Sequence, residues 1–263
     1  MRRRDFAALL TGAATWSLAA IAQQTSAAPG VRVKVSTARL LATVLREIGA
    51  QFERDTGHEL EVTEIYGPEI VKRLNAGEPF DPDVLILRSD FIDAFIKEGR
   101  LRAETRTDLV KTGIGVEVRS GALKPDIGSV EAFKRALLNA RSIAYLKNGI
   151  ESNYLDGLLQ RLGIAEAVSS KLTRPESDTV SALTAKGEVE LGLAITTQIV
   201  TTPGVELVGP LPPELQRYYA FSGAVSATSK VPDAAVALIR FLKGPAAIRV
   251  IRSQAMEPGN PHD

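Results

Sequence analysis

Cysteine is absent from all 263 residues. Its absence excludes disulfides, thiolate metal sites, a cysteine nucleophile and lipid attachment at a lipobox cysteine. Histidine is nearly absent. Only His58 and His262 occur, and His262 sits in the tail EPGNPHD. A Ser–His–Asp triad could draw on His58 alone, and a multi-histidine metal site lacks ligands. A charge excess is missing too: 32 Lys and Arg stand against 31 Asp and Glu, a formal charge of +1. Nucleic-acid binding would need clustered basic residues, so no nucleic-acid partner is expected. The patterns G-x-S-x-G, H-E-x-x-H and G-x-x-x-x-G-K do not occur, so no catalytic constellation, metal site or cofactor is expected. What remains is a globular composition, 44% hydrophobic and 24% charged, long enough for two modest domains or one large one.

The first residues read as an export signal. MRRRDFAALLTGAATWSLAAIAQQTSAAPG carries three arginines, a moderately apolar stretch and then small residues. Ala20-Ile21-Ala22 and Thr25-Ser26-Ala27 fit A-x-A-like cleavage sites, and Arg3-Arg4-Asp5-Phe6 fits the twin-arginine pattern. Residues 1–28 are therefore set apart from the fold, with cleavage expected near residues 22–28 and release into a periplasm. Losing three arginines and one aspartate takes the formal charge from +1 to −1. No later run reaches 18 apolar residues, so nothing else is expected to span a membrane.

Beyond the signal, strand and helix patterns alternate. Val31–Val35 reads as a strand. Leu40, Leu41, Val44, Leu45, Ile48 and Phe52 recur at helical spacing, with Gly57 as the stop. HELEVTEIYG alternates as a strand does, and PEIVKRLNAG reads as a helix with Pro68 at its start and Gly77 past its end. PDVLILRS is a continuous apolar run, as in a strand buried on both faces. DFIDAFIKEGRL, SVEAFKRALLNA (capped by Ser129), SNYLDGLLQRLG (capped by Ser152 or Asn153), DTVSALTAKGE (capped by Asp178) and the terminal VPDAAVALIRFLKGPAAIRVIRSQ read as helices. GIGVEVR, SIAYLK, VELGLAI, GVELVGP and YYAFSGAVSA read as strands. Repeated βα units predict an α/β fold with parallel sheets, whose ligands sit at carboxyl strand ends against helix N-termini.

Three strand-to-helix turns carry the candidate site in the first half: Ser36-Thr37-Ala38-Arg39, Tyr66-Gly67-Pro68-Glu69 and Arg88-Ser89-Asp90. Each lies where unpaired N–H groups and the positive end of a helix dipole would face an anion. Helix capping is the competing role for Ser36, Thr37, Ser89 and Asp90. Three such turns in succession predict a shared pocket. In the second half, the loop Lys147–Tyr154, with Ser152, Asn153 and Tyr154, and the turn Thr196-Thr197-Gln198 are the candidates to close over a ligand. Arg88, at the end of a buried strand, is the better placed of Arg39, Arg73 and Arg88 to grip a carboxylate. Glu69, Asp90 and Glu151 could do acid–base work in a closed cleft, but capping or surface roles are the simpler expectation. His58 reads as a connector.

The run LREIGAQFERDTGHELEVTEIYG…IVKRLNAGEPFDPDVLILRSDFIDAFIKEGRL resembles the first domain of periplasmic molybdate-binding-like solute receptors. RSIAYLKNGIESNYLDGLLQRLGI, VSALTAKGEVELGLAI and VPDAAVALIRFLKGPAA resemble that family's later segments, in order. The resemblance covers nearly the whole chain after the signal. It implies a type II periplasmic binding-protein fold: two α/β lobes with mostly parallel sheets, joined by two crossing strands, with lobe 1 at 29–112 and 213–263 and lobe 2 at 113–212. It further implies a monomer that captures a small anion, an oxyanion such as molybdate or a small carboxylate. Ser36, Thr37, Ala38, Tyr66, Gly67, Arg88, Ser89, Ser152, Asn153, Tyr154 and Thr196 would bind it, and delivery would be to an ABC permease in the inner membrane. Molybdate receptors resemble A-S-L and S-S-G at the first two turns. Here Pro68 removes one N–H donor and Glu69 adds like charge, which argues against a dianion. GIGVEVRSGALKPDIGSVEAFKRALLNARSIAY and VGPLPPELQ are similar to a subgroup that includes a periplasmic aconitate isomerase. That implies, as the alternative, an isomerase of a small tricarboxylate on the same scaffold.

Overall fold

Two sheets organise the chain. The computed structural model describes residues 30–65, 67–76, 78, 81–176 and 180–259. The expected export segment, and Tyr66, Gly77, Asp178 and His262 among the residues singled out above, lie outside the described residues. In chain order the elements are β1 (Arg32–Thr37), α1 (Arg39–Thr56), β2 (Glu59–Glu64), α2 (Gly67–Asn75), β3 (Val84–Arg88), α3 (Ser89–Lys97), β4 (Thr107–Thr112) and β5 (Ile114–Arg119). Then follow α4 (Val130–Asn139), β6 (Ile143–Ala144), α5 (Ser152–Arg161), α6 (Ala165–Ser169), β7 (Leu172–Thr173), α7 (Val180–Lys186), β8 (Leu191–Ile195) and α8 (Thr196–Thr201). β9 (Val205–Pro210), β10 (Tyr219–Val225), α9 (Pro232–Leu242), α10 (Pro245–Ser253) and β11 (Glu257–Pro258) complete it, with short 3-10 turns at Ala103–Thr105 and Pro213–Leu215.

The first sheet has the order β11-β4-β10-β3-β1-β2 and the second β7-β6-β8-β5-β9. The chain crosses between them twice, at Gly113 from β4 into β5 and through residues 211–218 from β9 into β10. Both sheets are mixed rather than mostly parallel. β1 runs parallel to β2 and β3, and β6 parallel to β7 and β8, whereas β10 runs antiparallel to β3 and β4, and β5 antiparallel to β8 and β9. The reversed strands β5 and β10 are the two that the chain enters from the other sheet. A strand entering from the other sheet need not follow the direction that βα crossovers impose.

β3 shows why its apolar run is continuous. Val84 and Ile86 enter one hydrophobic cluster with Val33, Leu41 and Phe52 under α1, while Leu85 and Leu87 enter another with Ile70, Ile92 and Phe95 under α2 and α3. Each such side chain withdrawn from water contributes about 1.5–3 kcal/mol. α1 stops where Gly57 turns left-handed at φ 76° and donates its N–H to Glu53 O at 2.7 Å. There a side chain would be strained. Ser129 caps α4 by accepting from Ala132 N–H at 3.2 Å.

Several boundaries differ from those read in the sequence. β4, TDLVKT, is a strand that the pattern did not mark. Its burial is irregular, and it meets β5 across a single residue, with no turn to separate them. β1 runs on through Ser36 and Thr37, so neither residue caps α1. The cap position is Ala38, without a side-chain hydrogen bond. The cap position of α5 is Glu151, not Ser152 or Asn153. Thr196 and Thr197 begin a short helix, α8, rather than a loop.

Candidate functional site

The strand registers define an edge where both sheets end. β1 finishes at Thr37 and β3 at Arg88, and Phe221 of antiparallel β10 pairs with Arg88. Tyr219, two residues earlier, pairs with Thr112 at the end of β4. Thr37, Arg88, Thr112 and Tyr219 therefore stand along one end of the first sheet. In the second sheet the start of β5 pairs with the ends of β8 and β9, Ile114 with Ile195 and Gly115 with Pro210. Carboxyl strand ends are where open α/β sheets hold ligands.

The two ends are tied by polar contacts. Thr112 Oγ1 lies 3.1 Å from Thr196 Oγ1 and 3.2 Å from Thr197 Oγ1, and Thr196 Oγ1 donates to the Ala255 carbonyl at 3.0 Å. A carbonyl can only accept, so Thr112 must donate to Thr196 and Thr197 to Thr112 if all three hydroxyls are to be satisfied. Gln216, on the second crossing segment, grips Ile114 on the first. Its Oε1 accepts from Ile114 N–H at 2.9 Å and its Nε2 donates to Ile114 O at 2.9 Å. A Cβ on Gly113 would stand 2.9 Å from Gln216 Cδ, so the grip requires the missing side chain there.

The same accounting sorts the hydroxyls singled out in the sequence. Ser222 Oγ donates to Asp108 Oδ1 at 2.6 Å, so Ser89 Oγ, 2.6 Å from Ser222 Oγ, spends its proton on Ser222. Ser152 donates to Leu146 O at 2.6 Å and Tyr154 to Leu215 O at 2.8 Å. Ser89, Ser152, Tyr154 and Thr196 thus have their hydroxyl protons engaged within the chain in this arrangement. Their protons satisfy carbonyls and neighbours that burial would otherwise orphan. Arg88 folds its guanidinium fork onto Asp90, at 2.5 and 2.6 Å, and lies over the Phe91 ring. Asp90's carboxyl is held below its ordinary range by that contact, so Arg88 could grip a carboxylate only by exchanging Asp90 for it. Arg39 and Asn153 are exposed, Ser36 is buried, Ala38 is half-buried, and Gly67 opens α2. Pro68 and Glu69 are exposed in the first turn of α2. His58 accepts from Val31 N–H through Nδ1 and tilts against Phe52, a half-buried structural connector.

Three buried polar atoms at this edge have no partner among the described residues: Thr37 Oγ1, Glu151 Oε1 and Tyr219 Oη. Thr37 is 0% exposed, Glu151 2% and Tyr219 8%. Burial pushes the Glu151 carboxyl up, its own backbone N–H opposing the shift. The Tyr219 phenol is pushed up to about 12, first by burial and then by the negative charge of Glu151; Tyr154 adds to that, while Arg217 and Arg88 pull the other way. Glu151, Arg217, Tyr154 and Arg88 are therefore the charged and ionisable groups whose fields reach Tyr219. The sequence reading missed Tyr219 and treated Glu151 only as a weak acid–base candidate. The available signals were a tyrosine two places before inward Phe221, and a glycine two residues before Glu151. A Cβ on Gly149 would fall 2.6–2.8 Å from the Glu151 carboxyl atoms, so that glycine is what lets the side chain fold inward.

The loop that presents Glu151 is fixed from behind. Tyr145 Oη donates to Asp156 Oδ1 at 2.6 Å, and Arg174 pairs with Asp156 at 3.0 Å while stacking over the Tyr145 ring. Lys147 N–H donates to Pro175 O at 2.8 Å. Two surface grooves, of about 480 and 570 Å³, flank the 120–128 loop, and neither is lined by Thr37, Glu151 or Tyr219. No cluster of His, Asp or Glu among the described residues could hold a metal ion.

The architecture is that of the type II periplasmic binding proteins, as likeness to a solved structure also shows. The Azotobacter vinelandii periplasmic molybdate-binding protein superposes with a TM-score of 0.67 at 17% identity, over 87% of this chain and all of that one. The family model for bacterial extracellular solute-binding proteins matches residues 33–257, and the chain belongs to that family. Among curated relatives, the aconitate isomerase of a Pseudomonas species is 30% identical over 230 residues, 85% of this chain and 86% of that protein. The molybdate-binding protein ModA of Azotobacter vinelandii is 27% identical over 239 residues, 86% of this chain and 90% of that protein. The chain is accordingly a solute-binding protein of the molybdate-binding-like type.

Proposed function

We propose that the two sheets are the cores of two lobes, and that the protein captures a small anion between them for delivery to an ABC permease after export to the periplasm. The observation that carries this reading is the set of buried, unpartnered hydrogen-bonding atoms at the facing strand ends, Thr37 Oγ1, Glu151 Oε1 and Tyr219 Oη. An unsatisfied buried polar group costs about 1–3 kcal/mol, and a fold keeps such groups where a ligand completes them. Closure of the lobes on the anion would supply the remaining contacts.

A thermal-shift screen of the purified protein tests this reading, using molybdate, tungstate, sulfate, phosphate, citrate and other di- and tricarboxylates. A ligand at 100 times its dissociation constant stabilises by about 2.7 kcal/mol, a shift of several degrees. At least one anion is expected to give it, and a flat response across the panel would end the reading.

Glu151 and the relatedness to an aconitate isomerase support a second reading, isomerisation of a small tricarboxylate. A buried carboxyl raised by desolvation, with one oxygen unpartnered among the described residues, is a competent base for an acidic C–H. Conversion of cis- to trans-aconitate, followed by absorbance and abolished in Glu151→Gln, is the expected result. No conversion by the wild-type protein would leave capture alone.

A further inference from the structure

Glu151 poses a problem for any site that holds anions. The residue is 2% exposed, its Oε1 has no partner among the described residues, and Gly149 leaves the room the carboxyl occupies. It opens α5, where the helix N-terminus would otherwise offer donors alone. A carboxylate there presents lone pairs to whatever the site binds. Against a sulfate-like ion, which also presents only lone pairs, the two sets of oxygens repel. Against an anion that carries an O–H, the same carboxylate accepts a hydrogen bond and the orphan is satisfied.

We propose that Glu151 is the specificity-determining residue of this site, selecting small anions that carry an O–H, such as hydroxycarboxylates or hydrogen phosphate, over acceptor-only oxyanions such as sulfate and molybdate. This rests on the anion-capture reading and names the ligand class within it. The ionisable groups around the site are Tyr219 from β10, Tyr154 from α5, Arg217 from the crossing segment and Arg88 from the end of β3. Tyr219 is a neutral donor across the physiological range, and Arg88 is engaged by Asp90. Glu151 is therefore the group of this set that changes from acceptor to donor on mild acidification, a change that burial brings closer to neutrality. A site that hydrogen-bonds a ligand hydroxyl rejects the analogue lacking it far more strongly than an apolar pocket rejects a missing methylene.

Isothermal titration with sulfate and phosphate tests the assignment, because the two are nearly isosteric and differ in the proton. Citrate serves as the hydroxycarboxylate probe. Near pH 7.5, phosphate or citrate is expected to bind at least tenfold more tightly than sulfate. On acidification, sulfate is expected to gain at least severalfold, because a protonated Glu151 is a donor. Glu151→Gln, whose amide donates at every pH, should bring sulfate within a few-fold of the O–H-bearing anions and remove the pH dependence. Gly149→Ala, which displaces the carboxyl without deleting it, should erode the discrimination in the same direction.

Sulfate binding as tight as phosphate and citrate in the wild-type protein near pH 7.5 overturns the proposal. So does a sulfate affinity unchanged by acidification, a measurement that needs no variant to fold and in which the probe itself does not titrate. Silence from every anion overturns the capture reading itself, and the selectivity with it. Binding without discrimination overturns the selectivity alone.

Discussion

Gln216→Ala removes the grip between the two crossing segments. The side chain accepts from Ile114 N–H, donates to Ile114 O and also accepts from Arg217 N–H, each at 2.9 Å. Ile114 is fully buried, so its N–H would be left without the acceptor it uses. Of the three lost hydrogen bonds, the exposed one from Arg217 is replaced by water; the two to Ile114, at about 0.5–1.5 kcal/mol each with the orphaned donor counting toward the upper end, give a destabilisation of about 2–3 kcal/mol. Ile114 O retains Leu211 N–H at 3.1 Å, which keeps the figure from rising further. In a domain of this size the melting temperature should fall by about 4–10 °C. The fall should be measured by urea unfolding and by calorimetry. A companion substitution sharpens the test: Gly113→Ala places a Cβ against Gln216, so its cost should shrink when Gln216 is already alanine. A double-mutant cycle with a coupling of about 1 kcal/mol or more is expected. A Gln216→Ala loss below about 0.5 kcal/mol, or strictly additive effects, would refute the claim that this side chain locks the crossing.

Further outcomes follow from the unpartnered and buried groups. Thr37→Val and Tyr219→Phe each delete a buried hydroxyl that lacks a partner, so ligand-free stability should be unchanged or rise by up to about 1 kcal/mol while anion affinity falls about tenfold. Paired melts and titrations check both signs. Ser89→Ala removes a hydroxyl already committed to Ser222, and affinity should change by less than about threefold. Glu117 is buried on β5 with Oε1 unpartnered and Oε2 accepting from Ser181 at 2.7 Å, and desolvation raises its carboxyl while Ser181 and Thr184 oppose. A folded-state value above the unfolded one means the folded chain holds the proton more tightly. Stability should therefore decline as pH rises from the ordinary carboxyl range through the raised value. Glu117→Gln should flatten that slope and stabilise the protein near neutral pH, as urea midpoints at several pH values would show.

Much of the architecture was legible because burial and period coincide. β3 declared itself by an unbroken VLIL, α1 by its apolar stripe and Gly57, and the order of βα units matched that of the receptors it resembles. The crossing was harder to read. β4 and β5 join across one glycine, so the sequence carries no turn signal where the chain passes from one sheet to the other. The candidate site was legible as a place more than as a set of atoms. Small hydroxyl residues do gather at the strand ends, yet Ser89, Ser152, Tyr154 and Thr196 spend their protons on carbonyls and neighbours that become visible only when the chain is folded. Glu151 and Tyr219 were obscured for the converse reason. A glutamate at a helix start reads as a surface residue, and a tyrosine opening a strand reads as core. Their significance lies in partners they do not have.

The most direct measurement is a crystal structure of the protein with the anion that stabilises it most. The account predicts density between the carboxyl ends of β1 and β3 and the start of α5, within hydrogen-bond distance of Thr37 Oγ1, Glu151 and Tyr219 Oη. Density in the grooves beside Leu123 and Tyr218, with those three atoms still unpartnered, would contradict it.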